Sequence, residues 1–383
     1  MKLEGIHDGS IYVSSGRRIG RVDPQAGFEP VGTLPRPPAF FDALRSAGPV
    51  RTGLQALVGR FPTTNCWWLT GDVLLATHGR YVWRSDDGGT SWQHVHLLPP
   101  DSGPMGVLPT AVCEHRGKTY LAEYSLGNTP ATILVSEDSG SSWGQYVTTN
   151  RRRHFHGVFA DPYSDTVWAT AGDTDEESAI GRLRDGSFEP IGGGSQAWRA
   201  VDLAFTPTAI VWGMDCAYAD RVDIYYLKRS AIGTGTPTKI HQVDASVYYL
   251  ATVRTDEEIW IAAATQAEIG VDRTAGSHNG RATGDIARVW VASDRTDFRT
   301  WHVVARYRRR RVPADWFDRL PSANGYVYLA GDPHLGLVIN PYSVGATPGR
   351  LHHVDPARLR SLGLDADGRP TVSTIEGNQT VTR

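Results

Sequence analysis

Only three cysteines, Cys66, Cys113 and Cys216, occur in 383 residues, and no two form a C-x-x-C pair. An odd, scattered set excludes a disulfide framework and fits reduced thiols. No apolar run approaches the roughly 18 residues needed to cross a bilayer as a helix. Residues Met1–Asp8 carry no apolar core of a secretory leader. The sequence as it stands is therefore expected to be soluble and cytoplasmic, or secreted if a leader has been removed, with no membrane partner. There is no excess of one charge either: the formal net charge is −2. That removes the global basic footprint of a nucleic-acid binder, and an acidic ligand would need a local basic patch. Convincing helical periodicity is confined to 39–47 and 356–362.

What is abundant is tryptophan (12) and glycine (41), a composition suited to short strands joined by tight turns. Ser136-Glu137-Asp138-Ser139-Gly140-Ser141-Ser142-Trp143 follows the apolar run 132–135 and has the form S-x-D-x-G-x-[ST]-W. Ser85-Asp86-Asp87-Gly88-Gly89-Thr90-Ser91-Trp92 repeats it after 81–83. Each octet predicts a hairpin turn in which the Asp accepts hydrogen bonds from its own backbone N–H groups. The glycine takes a left-handed conformation, and the Trp opens the next strand and packs under the turn.

Five weaker strand–turn–strand units accompany the octets, with turns near 23, 185, 233, 295 and 343. The unit at Ser293–Trp301 is a decayed octet. Asp87 and Asp138 are 51 residues apart, a plausible four-stranded repeat. Seven turns predict an all-β fold, a seven-bladed β-propeller of four-stranded antiparallel blades, with six blades the runner-up. Residues 1–383 are expected to form one domain, its ring closed by N- and C-terminal strands (371–375, 380–383), since closure removes exposed edges.

Placing the turns between third and fourth strands assigns the rest. Blade three is expected at 109–115, 118–123, 131–135 and 143–147; blade four at 154–159, 167–171, 179–184 and 188–191. Blade five follows at 198–205, 208–213, 222–227 and 238–243; blade six at 246–252, 258–264, 286–292 and 300–305. Blade seven takes 313–320, 325–330, 335–340 and 351–354. In this register the octet turns lie on one face, and the starts of first strands and ends of second strands on the other.

Polar side chains gather at that second face. Glu123 and Tyr124 end a second strand in blade three. Arg153, His154 and His156 open blade four, and Asp173 ends its second strand. Gln196 and Arg199 open blade five, and Asp215 ends its second strand. Tyr248 opens blade six, whose long loop 265–285 suits a lid or binding loop. His334 lies in blade seven. His154-x-His156 can be a metal pair, a base with its neighbour, or two structural histidines. With no third His or Cys at ligand spacing, zinc is disfavoured and no metal ligand is assigned. Asp173 and Asp215 can equally be loop caps. Arg199, in an apolar setting, needs a carboxylate or a ligand. The runs 151–153 and 306–311 are either solvated or part of an anion site on blade connections.

The octets resemble the Asp-box, or BNR repeat, of the sialidase-like β-propeller superfamily, in which these turns lie away from the active site. The stretches 154–163, 167–173, 195–199 and 212–215 resemble one BNR propeller group within it. Exo-sialidases carry three arginines, a Tyr and a Glu on six blades. Only Gly59-Arg60-Phe61-Pro62 partly echoes their first arginine segment, and the other two arginines cannot be assigned. Seven-bladed relatives with His, Tyr and Arg in the channel include lyases of uronate-containing polysaccharides, and related propellers release rhamnose from glucuronate.

The resemblance thus implies a carbohydrate-active enzyme whose substrate is an acidic glycan. In β-elimination Arg199 would neutralise the uronate carboxylate, and His154 or His156 would take the C5 proton. A second His, or Tyr124, Tyr248 or Tyr249, would protonate the leaving oxygen. A sialidase-like or rhamnosidase-like hydrolase would instead use carboxylates from Glu123, Asp173 and Asp215. A non-catalytic glycan-binding or assembly propeller is the third reading. Gln196, Asp215, Asp173, Glu123, Arg153 and His334 are the expected substrate-binding set. No cofactor is expected, a structural Ca²⁺ is left open, and the protein is expected to be a monomer without nucleic-acid partners.

Overall fold

The computed structural model describes residues 1–23, 27–58, 63–103, 105–216, 219, 221–267, 285–313, 324–345 and 349–362. Its strands form seven antiparallel sheets in chain order, six of four strands and one of three among the described residues. The fold is a seven-bladed β-propeller, and the six-blade alternative is set aside. Each blade is a meander of consecutive strands. The blades span 2–33, 64–97, 112–149, 155–193, 204–243, 247–308 and 326–354. The expected first strand of blade seven and the C-terminal strands lie outside the described residues almost entirely, as do most of the 265–285 loop and Gly59-Arg60-Phe61-Pro62. Two compact units make up the chain, Ile11–Val201 and Met1–Ser10 with Asp202–Arg383.

In the unit Ile11–Val201, both octets form the expected turn. The Asp87 carboxylate accepts the Ser91 N–H at 2.9 Å and the Ser91 hydroxyl at 2.6 Å. Asp138 does the same with Ser142, at 2.8 and 2.6 Å. Ser85 and Ser136 Oγ accept the N–H of Gly89 and Gly140 at 2.8 and 2.7 Å. Those glycines have φ of 95° and 83°, which side chains disfavour. These hydrogen bonds hold both carboxyls down at about 2. The sheets pack through one apolar core that includes Leu75, Val82, Leu121, Ile133, Phe155, Val158 and Ala169. Their strands read as near-continuous apolar runs because both faces are covered.

This unit also holds two helices. Phe40–Ser46 matches the expected periodicity, and Gly48–Val58 was not expected. Gly48-Pro49 reads as a break in sequence. Ala47 does turn extended there, but proline is tolerated in a first helical turn and the helix restarts.

In the other unit, the strand Lys2–His7 is anchored by Asn340, whose Oδ1 accepts the Leu3 N–H at 2.9 Å. A core of Val253, Trp260, Val289, Val291, Leu337, Ile339 and Leu359 fills it. Pro356–Leu362 is the expected helix. Two expectations need correction. The first strand of blade five is reduced to Ala204–Phe205, and Gln196–Trp198, at the end of the unit Ile11–Val201, coil into a 3₁₀ turn. The Ala200 carbonyl accepts a histidine N–H at 2.9 Å instead of joining a ladder. Arg306–Arg308 lie in the last strand of blade six, His302–Arg308, rather than in a blade connection.

Candidate functional site

Blade four builds the site at one end of its sheet. His154 stands just before the strand Phe155–Asp161, and Asp173 stands just beyond the neighbouring strand Thr166–Ala171. Because the two strands are antiparallel, these positions meet; the Gly172 N–H donates to the His154 carbonyl at 3.2 Å. The ladder slips between Phe155 and Gly157, a bulge that re-aims the side chain of His156. Gly172 has a φ of 85°, and a Cβ there would lie 2.2 Å from the Glu177 backbone. Only glycine lets the chain turn back so tightly. In blade three the octet turn lies at the far end of the strands from Tyr124 and Ser125, since Ala122 pairs with Ile133 and Thr119 with Ser136.

Asp173 is the hub. Its Oδ2 accepts Arg153 Nη1 at 2.8 Å, and its Oδ1 lies 3.1 Å from Arg199 Nη2. The same Oδ1 is 3.5 Å from His154 Nε2 and 3.4 Å from His156 Nε2. Its carbonyl accepts Arg199 Nη1 at 3.0 Å and Gln196 Nε2 at 3.2 Å. Burial alone would raise the Asp173 carboxyl. Hydrogen bonds from both histidines, with the charges of His154 and Arg199, outweigh that and hold it far below the usual range. An ionised Asp173 is suited to accept and unsuited to donate a proton.

The two histidines are wired alike. His154 Nδ1–H donates to the Ser125 carbonyl at 2.7 Å, and His156 Nδ1–H to the Ala200 carbonyl at 2.9 Å. A carbonyl only accepts, so both tautomers are set and both Nε2 atoms carry the lone pair or a second proton. Those Nε2 atoms are 3.0 Å apart. Every ring nitrogen is engaged, and for either ring to act as a base the Nε2 contact must open. Burial pushes His154 below its ordinary value, against the pull of Asp173. The rings are 0% and 2% exposed, whereas the side chains of Asp173 and Arg153 keep 15% and 27%. Solvent thus meets the carboxylate–guanidinium edge, with the imidazoles behind it.

The remaining expected residues divide. Tyr124, half-buried, lies over His154 with ring centroids 4.1 Å apart. Glu123 is buried and bonded to His96 Nε2 at 3.0 Å. The Gln196 Oε1 is buried and makes no hydrogen bond among the described residues. Asp215, Tyr248 and His334 belong to the other unit. Asp215 is buried beyond the strand Ala209–Gly213. Tyr248 packs on Tyr326 at 5.9 Å, and the exposed His334 donates its N–H to Asp332 in a tight turn.

Sequence reasoning missed the parts supplied by the backbone, namely the Ser125 and Ala200 carbonyls. It also missed Asp101, whose Oδ2 accepts the Ser125 hydroxyl at 2.6 Å and so holds that carbonyl in place. An Asp beside a Pro-rich segment gives no signal of this.

Fold and site together define a β-propeller with a buried His–His–Asp cluster edged by two arginines. No family model and no curated protein matches the chain. Among solved structures, it is similar to YCF48 bound to a D1 peptide, with a TM-score of 0.48 and 13% identity over 92% of each chain. It is also similar to the GH93 α-L-arabinofuranosidase of Fusarium graminearum in complex with arabinobiose. There the TM-score is 0.42 and the identity 13%, over 77% of this chain and 93% of that one. Both are β-propellers. The fold rests on the seven sheets themselves.

Proposed function

We propose that this propeller is carbohydrate-active and takes an acidic sugar at the Arg153–Asp173–Arg199 edge. One observation carries the reading: two guanidiniums converge on a single carboxylate, leaving fixed positive charge at the solvent-reachable side of the cluster. A second anion, such as a uronate carboxylate, would complete that balance, and guanidinium forks match carboxylates bidentately.

In the elimination reading, Arg199 draws charge from the carboxylate and so acidifies the C5–H bond. A base removes that proton, the C4–O bond breaks, and the leaving oxygen gains a proton. Tyr124 is the better exposed acid–base group, and the histidine pair holds the edge in place. The engagement of every imidazole nitrogen favours a second reading, glycan binding without turnover.

A screen of uronate-containing polysaccharides tests both. New near-ultraviolet absorbance marks elimination, reducing ends without it mark hydrolysis, and calorimetric binding with neither marks a binding module. If no acidic glycan binds or reacts, the acidic-sugar reading is wrong.

A further inference from the structure

We propose that His154, His156 and Asp173 bind one divalent transition-metal ion of the Zn²⁺ class through His154 Nε2, His156 Nε2 and Asp173 Oδ1. The three atoms come together because of local structure. His154 and His156, two residues apart where the strand Phe155–Asp161 begins, share one face, and the tight turn at Gly172 returns Asp173 over both. They lie 3.0, 3.4 and 3.5 Å from one another. A circle through three such points has a radius of about 1.9 Å, so an ion slightly out of their plane sits at about 2.0–2.1 Å from all three, the Zn–N and Zn–O range.

The tautomers point the same way. Each imidazole donates Nδ1–H to a backbone carbonyl, the outer bond that ligating histidines usually make and that leaves Nε2 as the electron-pair donor. Two imidazole Nε2 atoms and a carboxylate oxygen, all within 3.5 Å of one another, form a compact donor set that one cation can share. The carboxylate is itself oriented by Arg153 on Oδ2 and Arg199 near Oδ1. The alternative cation is a proton shared between the rings.

Two imidazoles with one carboxylate suit Zn²⁺, Co²⁺ or Ni²⁺ rather than Ca²⁺, which takes oxygen ligands. The sequence places no third His or Cys at ligand spacing beside the pair. The third donor here is an Asp at the end of the adjacent strand. Arg153 and Arg199 repel a cation, so an anion bound beside them is expected to tighten the metal.

The test uses the full chain stripped with a chelator and dialysed, with Co²⁺ and then Zn²⁺ as probes and no sugar present. Its outcome is therefore separate from that of the acidic-sugar reading. One equivalent of Co²⁺ is expected to bind saturably with the visible d–d bands of a low-coordinate ion, and Zn²⁺ to displace it. Asp173→Asn and His156→Ala are each expected to weaken binding at least about tenfold. X-ray absorption of the Zn²⁺-loaded wild type is expected to show two imidazole ligands, a readout independent of how the variants fold. Absence of stoichiometric binding, unchanged affinity in a folded His156→Ala variant, or a spectrum without two imidazoles overturns the proposal.

Discussion

His154 and His156 face each other through their Nε2 atoms at 3.0 Å while their Nδ1–H groups reach in different directions, to Ser125 and to Ala200. The pair therefore ties the segment after a strand of blade three to blade four and to the segment that follows it. Removing one ring strands a buried carbonyl. His156→Ala is expected to destabilise the protein by about 1–3 kcal/mol, the cost of an unsatisfied buried acceptor. Urea unfolding checks this. An unchanged midpoint would show that the tether carries no stability.

Arg199 touches both the side chain and the carbonyl of Asp173, through two different nitrogens. A lysine ammonium cannot reproduce that fork. Arg199→Lys is expected to lower turnover on the true acidic substrate, or affinity where there is no turnover, by about a hundredfold, the effect of losing one oriented donor at developing charge. Arg153→Lys, at a more exposed side chain, is expected to cost less. Equal activity for Arg199→Lys and wild type would remove Arg199 from recognition.

The blade register was legible because each apolar run ends at residues that can only turn. Gly89 and Gly140 sit at positive φ, as the octets require, and most strands of blades three, four and six fall within a few residues of their expected places. The site was half legible. His154, His156, Asp173 and Arg199 were picked out by polarity at strand ends. Their mutual geometry was not, because it depends on a bulge and on carbonyls whose residue types, Ser125 and Ala200, carry no signal. Blade five lost most of its first strand for the same reason: Ala200 bonds to a side chain.

The octet pattern also misleads about energy. Trp143 belongs to an intact octet yet is only half-buried, and its Nε1 makes no hydrogen bond among the described residues. Trp301 belongs to the decayed unit. It is 8% exposed, and its Nε1 donates to the Phe298 carbonyl at 2.8 Å. Trp301→Ala is expected to cost about 3–5 kcal/mol as a buried aromatic truncation, and Trp143→Ala distinctly less. Denaturant unfolding of the two variants decides it, and the reverse order would refute burial as the controlling factor.

A buried histidine and a half-buried aspartate make opposing contributions to the pH dependence of stability. His78 lies among Ser46 and Thr64, and burial, with the charges of Arg17 and Arg51, pushes its pKa down to about 4. A folded value below the unfolded one means that its contribution is complete above about pH 6.5 and is lost as pH falls through about 4. Asp202 accepts the backbone N–H groups of Leu203 and Leu250, both at 2.8 Å. Burial pushes it up to about 7, against the pull of those two bonds. Its contribution is complete below about pH 4 and is lost as pH rises through about 7. At most these amount to about 3 kcal/mol for His78 and about 4 kcal/mol for Asp202. The two slopes oppose each other between pH 4 and 7, so the wild type is expected to show a shallow profile there. Asp202→Asn, which cannot ionise, removes the falling limb, and its stability is expected to rise with pH across that window. His78→Gln is expected to tilt the other way. Parallel profiles for wild type and Asp202→Asn, measured by urea unfolding at successive pH values, would show that the Asp202 carboxyl does not titrate in this range.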